Sequence, residues 1–163
     1  MSNGTAEGSA SDPLVQLSLG DLFWFADWPC GAVPRKGAIV YTIWDRSGGF
    51  IYVGQSAPKP ERRRGPYDRL DQHCRGHRNR DKFCVYVCDR LVLPTLTRDQ
   101  IGEIAAGTLS LDALIGTYVQ AHFGFRWVSC ADRAAALALE TRIKEGALGC
   151  GRPLLNPRLP ASP

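Results

Sequence analysis

Two short segments rich in β-branched and aromatic residues lie close together in the first third of the chain. They are AIVYTIW at 38–44 and FIYVG at 50–54, and the intervening DRSGG is typical of a turn. Such segments on either side of a short glycine-containing turn predict a β-hairpin. The hairpin is the firmest structural constraint in the sequence, and it favours a small antiparallel sheet with helices packed on it.

The segments after the hairpin predict one more definite strand and several helices. PYDRLDQHCRGH at 66–77 predicts a helix with Pro66 in its first turn. KFCVYVCDRLVL at 82–93 alternates in a way that predicts a third strand. Capping residues and apolar spacing predict helices over 98–106, 111–122 and about 133–146. The segment FRWVSC at 125–130 is expected to be a short strand or an extended connection. We therefore expect an α+β fold with about three strands flanked by helices.

The length of 163 residues fits one globular domain. We expect a disordered tail over 1–12, an aromatic arm over 13–36 and a domain over 37–158. Ser18 and Asp21 have the spacing of a capping box, which predicts a short helix over 19–27. There is no apolar run long enough to cross a membrane and no secretory signal at the start, so a cytoplasmic protein without membrane contact is expected.

Positive charge is concentrated in one stretch of the chain. Residues 59–82 contain nine Lys or Arg and four Asp or Glu, whereas the rest of the chain has a net charge of −1. A cluster of this kind indicates contact with a polyanion, and a solvated basic face is the alternative. Phosphate contacts are predicted for the basic side chains of this stretch outside the catalytic set, namely Arg62, Arg63, Arg64, Arg75, His77, Arg78 and Arg80.

The six cysteines do not by themselves indicate disulfides, because no secretory signal precedes them. Cys84 and Cys88 would share one face of the predicted third strand as small buried residues. A zinc site built from Cys74, His77, Cys84 and Cys88 is the alternative, although their spacing matches no standard ligand pattern.

Glu140 interrupts an apolar stripe on the last predicted helix, formed with Ala136, Ile143 and Ala147. A carboxylate on such a stripe needs compensation, and a hard divalent cation provides it. Pairing with Arg133 or Lys144 on a partly buried face is the other explanation.

Two further pairs of residues are candidates for chemistry on a phosphate. Arg69 and His73 are four residues apart on the predicted 66–77 helix, so a guanidinium and an imidazole share one face. Tyr41 and Tyr52 lie one on each strand of the hairpin, and Gly54 follows at the end of the second strand, where glycine permits close approach of a ligand.

These elements together resemble the GIY-YIG nuclease family. The two signature motifs of the family resemble IVYTI at 39–43 and YVG at 52–54. Its arginine helix resembles RLDQH at 69–73, its glutamate helix resembles ALALETRI, and its asparagine segment resembles PLLNP at 153–157. The chain departs from the family pattern at Ile39, where the first motif usually begins with glycine, and at Val53, which replaces isoleucine. The 94–124 segment is expected to be a helical insertion before the glutamate helix.

The resemblance implies the GIY-YIG endonuclease fold and metal-dependent hydrolysis of DNA to 5′-phosphate and 3′-hydroxyl ends. Glu140 would hold one divalent ion, Mg²⁺ or Mn²⁺, and Arg69 would bind the phosphate oxygens. Tyr41 would orient or deprotonate the attacking water, with His73 as the competing general base and Tyr52 as a further hydrogen-bonding group.

The same resemblance implies supporting roles for two residues. Asn156 would brace the site through hydrogen bonds near Glu140, and Gly54 would leave space for the phosphate. Selection of a DNA sequence would then come from a homodimer or a separate targeting partner. A catalytically inactive nucleic-acid-binding module of the same fold is the alternative function.

Overall fold

A computed structural model describes residues 12–59 and 64–156, and it contains a four-stranded sheet flanked by helices. The strands pair only with antiparallel neighbours, in the order β1-β4-β2-β3. The strands are β1 (Phe23–Trp24), β2 (Ala38–Asp45), β3 (Phe50–Ser56) and β4 (Phe123–Cys130). The structure confirms the expected α+β class.

Six α-helices lie before, between and after the strands in the described part of the chain. They are α1 (Pro13–Leu19), α2 (Pro66–Cys74), α3 (Lys82–Val87), α4 (Arg98–Ala105), α5 (Leu111–His122) and α6 (Arg133–Lys144). A π-helical turn over Cys88–Val92 continues α3 directly. The longest described helices have twelve residues, fewer than the roughly 20 that a membrane-crossing helix requires.

The central strand β2 is covered on both faces of the sheet. Alternation along the strand places Ile39, Tyr41 and Ile43 in one core cluster with residues of α2, α3 and α5. Val40 and Trp44 belong to a second cluster with residues of α1 and α6. This two-sided burial explains why the β2 sequence is an almost continuous apolar run.

The predicted hairpin is confirmed as the pair β2 and β3. Its turn is organised by the Asp45 carboxylate, which accepts hydrogen bonds from the backbone amides of Ser47 and Gly49 and from the Ser47 hydroxyl. Gly48 takes a left-handed conformation with φ of 84°. An aspartate that binds the backbone of its own turn, followed by glycine, is the chemistry such turns require.

The prediction of a strand over 82–93 is wrong, because this segment is helical. Asp81 caps the N-terminus of α3 by accepting a hydrogen bond from the Cys84 amide. Cys84 and Cys88 are therefore one helical turn apart, and both are buried. A short apolar run such as CVYVC fits a buried strand and a buried helix equally well, so periodicity alone did not distinguish them. The strand β4 pairs with β2 instead.

The helix predicted over 19–27 is also wrong. The helix α1 begins after Asp12, whose carboxylate accepts from the Leu14 amide, and Pro13 occupies its first turn. The Ser18 hydroxyl donates to the Leu14 carbonyl inside the helix and so does not cap a later one. The aromatic arm then docks through β1 on β4 and buries Phe25.

The helix predicted over 111–122 is confirmed with these bounds as α5, and α2, α4 and α6 end one to three residues earlier than predicted. The helix predicted over 66–77 ends at Cys74, and Gly76 follows with φ of 70°. A side chain at Gly76 would meet the backbone of Gly116 on α5, so this glycine allows α2 and α5 to approach closely. The predicted insertion contains α4 and α5, and α5 packs on α2 and α3.

Gly54 is the glycine on which the hairpin core depends most directly. It pairs with Tyr41, and a Cβ atom built on it would lie 2.4 Å from the Tyr41 hydroxyl oxygen. Tyr41 is fully buried, so its ring has no space into which to move. We expect Gly54→Ala to lower the free energy of unfolding by about 1–3 kcal/mol through overpacking, as measured by urea denaturation.

Gly102→Ala is the matched control for this experiment. Gly102 lies in α4 with open space where its Cβ would be, so alanine there should leave stability unchanged or raise it by up to about 1 kcal/mol. Equal stability of the Gly54→Ala variant and the parent protein would contradict the packing described for Tyr41.

Candidate functional site

The helix α2 carries Arg69 and His73 on one face, four residues apart as expected. His73 points into the protein and has no exposed surface. Its Nε2 atom lies 2.7 Å from the Tyr41 hydroxyl oxygen, and its Nδ1 atom lies 2.5 Å from Oδ2 of Asp81. The sequence-predicted Tyr41, Arg69 and His73 are therefore brought together, and Asp81 is added to them.

Asp81 is a site residue that the sequence analysis missed. It is 1% exposed, and the turn before α3 places it beneath the imidazole. Arg80, immediately before it, has a left-handed backbone with φ of 60°, which is uncommon for a residue other than glycine. The sequence contains one signal for this residue. An aspartate directly before an apolar run that forms a helix is in a capping position.

Burial lowers the pKa of His73, so the imidazole is neutral near pH 7. Burial alone would raise the pKa of Asp81, but His73, Arg69 and the Cys84 amide together hold it below its ordinary value. The pair is thus an ionised carboxylate that accepts a hydrogen bond from a neutral imidazole.

The two tyrosines reach the site from different positions on the hairpin. The Tyr41 hydroxyl lies over Gly54, which accordingly makes room for this phenol and not for a ligand. Tyr52 packs edge-on to His73 and against Phe83, with ring centroids 6.3 and 5.1 Å apart. Burial raises the pKa of both phenols, and Arg69 opposes that rise. Each phenol therefore keeps its proton near neutral pH.

Arg69 connects these buried groups with the surface. Its side chain is 26% exposed, and its guanidinium lies 4.0 Å from the Asp81 carboxylate. The same guanidinium is close enough to Tyr41 to act on the pKa of the phenol. Its Nη1 atom also donates a hydrogen bond to the Arg80 carbonyl.

Glu140 lies on the buried face of α6 and is 8% exposed. The Lys144 ammonium binds its Oε1 atom at 2.9 Å, so the lysine pairing that was considered as the alternative to a cation is formed. Burial is the main cause of the raised pKa values of Tyr41 and Tyr52, and the negative charge of Glu140 adds to them.

Glu140 and Gln55 carry oxygen atoms of the kinds that a hard divalent cation takes. The Glu140 carboxylate already binds one positively charged group, the Lys144 ammonium. Alternation along β3 places Gln55 on the same face of the sheet as Val53, which packs with α6. Within residues 12–59 and 64–156, the Gln55 side-chain oxygen is the one buried side-chain polar atom without a hydrogen-bond partner. Carboxylate and amide oxygens are the ligands that Mg²⁺ and Mn²⁺ take.

The zinc site considered for the cysteines is not formed by the described residues. His77 is exposed, whereas Cys74, Cys84 and Cys88 are buried. The described His, Cys, Asp and Glu side chains form one compact group of three, namely His73, Asp81 and Cys84. Burial raises the pKa of the Cys84 thiol, and this thiol contacts backbone carbonyls as a donor.

Asn156 braces the edge strand β3 and makes no hydrogen bond to Glu140. Its side-chain oxygen accepts from the Val53 amide at 2.8 Å, and its nitrogen donates to the Val53 carbonyl at 3.0 Å. The neighbouring Leu155 amide binds the Ile51 carbonyl. The segment before residue 157 therefore fixes the part of β3 that holds Tyr52 and Gly54.

A cleft of about 600 Å³ opens beside Arg69. Its lining combines four cationic side chains with three amide side chains and contains no carboxylate among the described residues. The cations are Lys59, Arg64, Arg69 and Arg80, and the amides are Gln55, Gln72 and Asn79. A cleft of this composition attracts an anion.

The predicted phosphate contacts divide into three groups in the structure. Arg64 and Arg80 line the cleft, whereas Arg75 and Arg78 bind the carboxylates of Asp71 and Asp112 at 2.7 and 2.6 Å. His77 is exposed outside the cleft lining. Arg62 and Arg63 lie outside the described residues.

Comparisons of the chain with protein-family models, with curated proteins and with solved structures gave no match.

The buried neutral state of His73 should appear as a pH dependence of stability. A folded-state pKa below the unfolded value means that the unfolded chain takes up a proton first as the pH falls. We therefore expect the free energy of unfolding to decrease below about pH 6.5, by up to about 1.4 kcal/mol per pH unit from this group. Arg69, Asp81 and Tyr41 face the imidazole and modulate the effect.

The measurement is urea unfolding of the parent protein, His73→Gln and His77→Gln between pH 7.5 and 5. The exposed His77 is the matched control, and its variant should keep the parent slope, whereas His73→Gln should flatten it. Identical slopes in all three proteins would show that His73 is not held neutral in the core.

Proposed function

We propose that the protein is a metal-dependent endonuclease that hydrolyses DNA phosphodiester bonds to 5′-phosphate and 3′-hydroxyl ends. The observation that carries the proposal is the position of Arg69. This one guanidinium lines the basic cleft and also lies beside Tyr41 and Asp81. A phosphate drawn into the cleft would therefore meet a bidentate anion ligand next to groups that can accept a proton. The resemblance to the GIY-YIG family supports the same reaction.

In the proposed reaction, Arg69 binds two non-bridging oxygens of the scissile phosphate. Movement of its guanidinium toward the phosphate uncovers the Tyr41 hydroxyl, which is fully buried in this structure. Tyr41 then contacts the attacking water, and His73, 2.7 Å behind it, receives the proton. In this proposal Tyr41 and His73 share the role of general base, which the sequence left open between them.

Glu140 is the proposed holder of one divalent ion, Mg²⁺ or Mn²⁺, with Gln55 as the neighbouring oxygen donor. When bound, such an ion neutralises phosphate charge and stabilises the leaving 3′-oxygen. Without the ion, the Lys144 ammonium stays bound to the Glu140 carboxylate and compensates its buried charge.

The remaining cations of the cleft, Lys59, Arg64 and Arg80, are proposed to contact the neighbouring phosphates. Such contacts give affinity that falls with salt and carry no sequence selectivity. We assign selection of a DNA site to a homodimer partner or to a separate targeting protein.

The test is cleavage of supercoiled plasmid in Mg²⁺ or Mn²⁺ by the parent protein and by Arg69→Ala, Glu140→Ala and Arg75→Ala. Removing the phosphate ligand or the metal carboxylate should reduce the rate by about 10²-fold or more, because each acts on charge that develops in the transition state. Arg75 directly follows the helix that carries Arg69 but pairs with Asp71, so its variant should cut within about threefold of the parent rate.

Two further measurements separate the enzyme from a binding module. If the protein is the enzyme, Glu140→Ala should weaken Mn²⁺ binding in a titration. If it is a binding module, the same substitution should leave Mn²⁺ binding unchanged, and salt-dependent DNA binding should survive chelation of the metal. Intact supercoiled, branched and single-stranded DNA in both metals, with folded protein, would overturn the nuclease proposal and leave the binding module as the function.

A further inference from the structure

The two oxygens of the Asp81 carboxylate have different partners. Oδ1 accepts the Cys84 amide at 3.2 Å and caps α3, whereas Oδ2 faces Nδ1 of His73 at 2.5 Å. Both Asp81 and His73 are buried, so water does not compete for these hydrogen bonds. The helix cap therefore fixes the rotation of the carboxylate that contacts the imidazole.

A neutral imidazole carries one proton, on either Nδ1 or Nε2. An ionised carboxylate only accepts hydrogen bonds, so the Asp81 contact requires the proton on Nδ1 of His73. Nε2 is then an acceptor, and the Tyr41 hydroxyl donates its proton toward it across 2.7 Å. The opposite tautomer would leave the carboxylate facing a bare nitrogen lone pair.

We propose that Asp81 is a positioning residue that holds His73 in the Nδ1–H tautomer, so that the buried imidazole can take a proton from Tyr41. The role rests on the proposed nuclease function, whereas the tautomer itself follows from the geometry of Asp81, His73 and Tyr41. Asp81 does not itself line the cleft, although its carboxylate lies 4.0 Å from the cleft residue Arg69, and it contacts no reacting atom assigned above.

In the proposed step, protons pass from the water to Tyr41 and from Tyr41 to His73. The water oxygen forms a bond to phosphorus while the water gives one proton to the Tyr41 oxygen, and Tyr41 gives its own proton to Nε2 of His73. The bond from phosphorus to the 3′-oxygen breaks, and that oxygen takes a proton from solvent. His73 becomes an imidazolium paired with the Asp81 carboxylate, and it returns its proton through Tyr41 to solvent after the products leave.

The burial of the three groups explains why such a relay is needed. Neither His73 nor Tyr41 has exposed surface, but the Tyr41 hydroxyl lies beside the cleft residue Arg69, so the proposed movement of Arg69 opens the phenol to water while His73 stays behind it. Burial keeps Tyr41 protonated, so a free phenolate is not the base either. Arg69, Tyr52 and the Cys84 thiol are the other polar groups close to the imidazole. Arg69 is already protonated, and neither of the other two makes a described hydrogen bond with the Tyr41 hydroxyl, so none of them takes the Tyr41 proton in place of Nε2.

The substitution Asp81→Asn tests the tautomer without removing the helix cap. Asparagine is as good a capping residue as aspartate, and its amide oxygen must face the Cys84 amide because an NH₂ group there would meet another donor. The new NH₂ group then faces Nδ1 of His73. The proton is forced onto Nε2, which becomes a donor to Tyr41 and can no longer take its proton.

Long-range ¹⁵N–¹H correlation spectra of the histidine rings report the tautomer directly. We expect Nδ1–H for His73 in the parent protein and Nε2–H in Asp81→Asn. In single-turnover plasmid cleavage, the same substitution should lower the rate by about 10³–10⁴-fold, the size seen when a triad aspartate becomes asparagine in a serine protease, with DNA affinity unchanged.

Asp132→Asn is the matched control, because Asp132 caps α6 through the Ala135 amide and makes no described contact with His73. It should preserve both the tautomer and the cleavage rate. An Nε2–H tautomer in the parent protein, or an unchanged tautomer or rate in Asp81→Asn, would overturn the inference. The expected tautomers in proteins that cut no DNA would support the assignment of Asp81 and overturn the nuclease proposal instead.

Discussion

The buried hydrogen-bond chain from Tyr41 through His73 to Asp81 joins three separate parts of the fold. Tyr41 comes from β2, His73 from α2 and Asp81 from the turn that caps α3. Polar groups in a core are costly unless each one is paired, and a fully paired network specifies one arrangement of its neighbours. The hairpin register, the position of α2 and the start of α3 are therefore determined together.

The surroundings of this chain follow from the same constraint. Gly54 is needed where the Tyr41 ring crosses β3, and Asn156 fixes the backbone one residue earlier. Arg69 stands between the buried carboxylate and the basic cleft, so its charge serves both. The concentration of positive charge in residues 59–82 thus separates into a cleft-lining set and arginines, such as Arg75, that are paired with carboxylates.

Much of this arrangement was accessible from the sequence, and what was missed has physical reasons. The hairpin, α2, α5 and α6 were predicted because their turn residues, caps and spacing agree with one another. The 82–93 segment was assigned to a strand because five apolar residues do not distinguish the two periodicities. Asp81 was missed because it is eight residues from His73 along the chain, so only the fold brings their side chains into contact. The pairing of Arg78 with Asp112 spans 34 residues and is not visible in the sequence for the same reason.

In the proposed reaction, this site directs water to the phosphorus atom of a DNA phosphodiester and releases the 3′-oxygen. The most direct test is cleavage of plasmid DNA with Mg²⁺ in H₂¹⁸O, followed by mass spectrometry of the fragment ends. We expect one ¹⁸O atom in each new 5′-phosphate and an unlabelled 3′-hydroxyl. New ends that carry a 3′-phosphate, or 5′-phosphates without label, would contradict it.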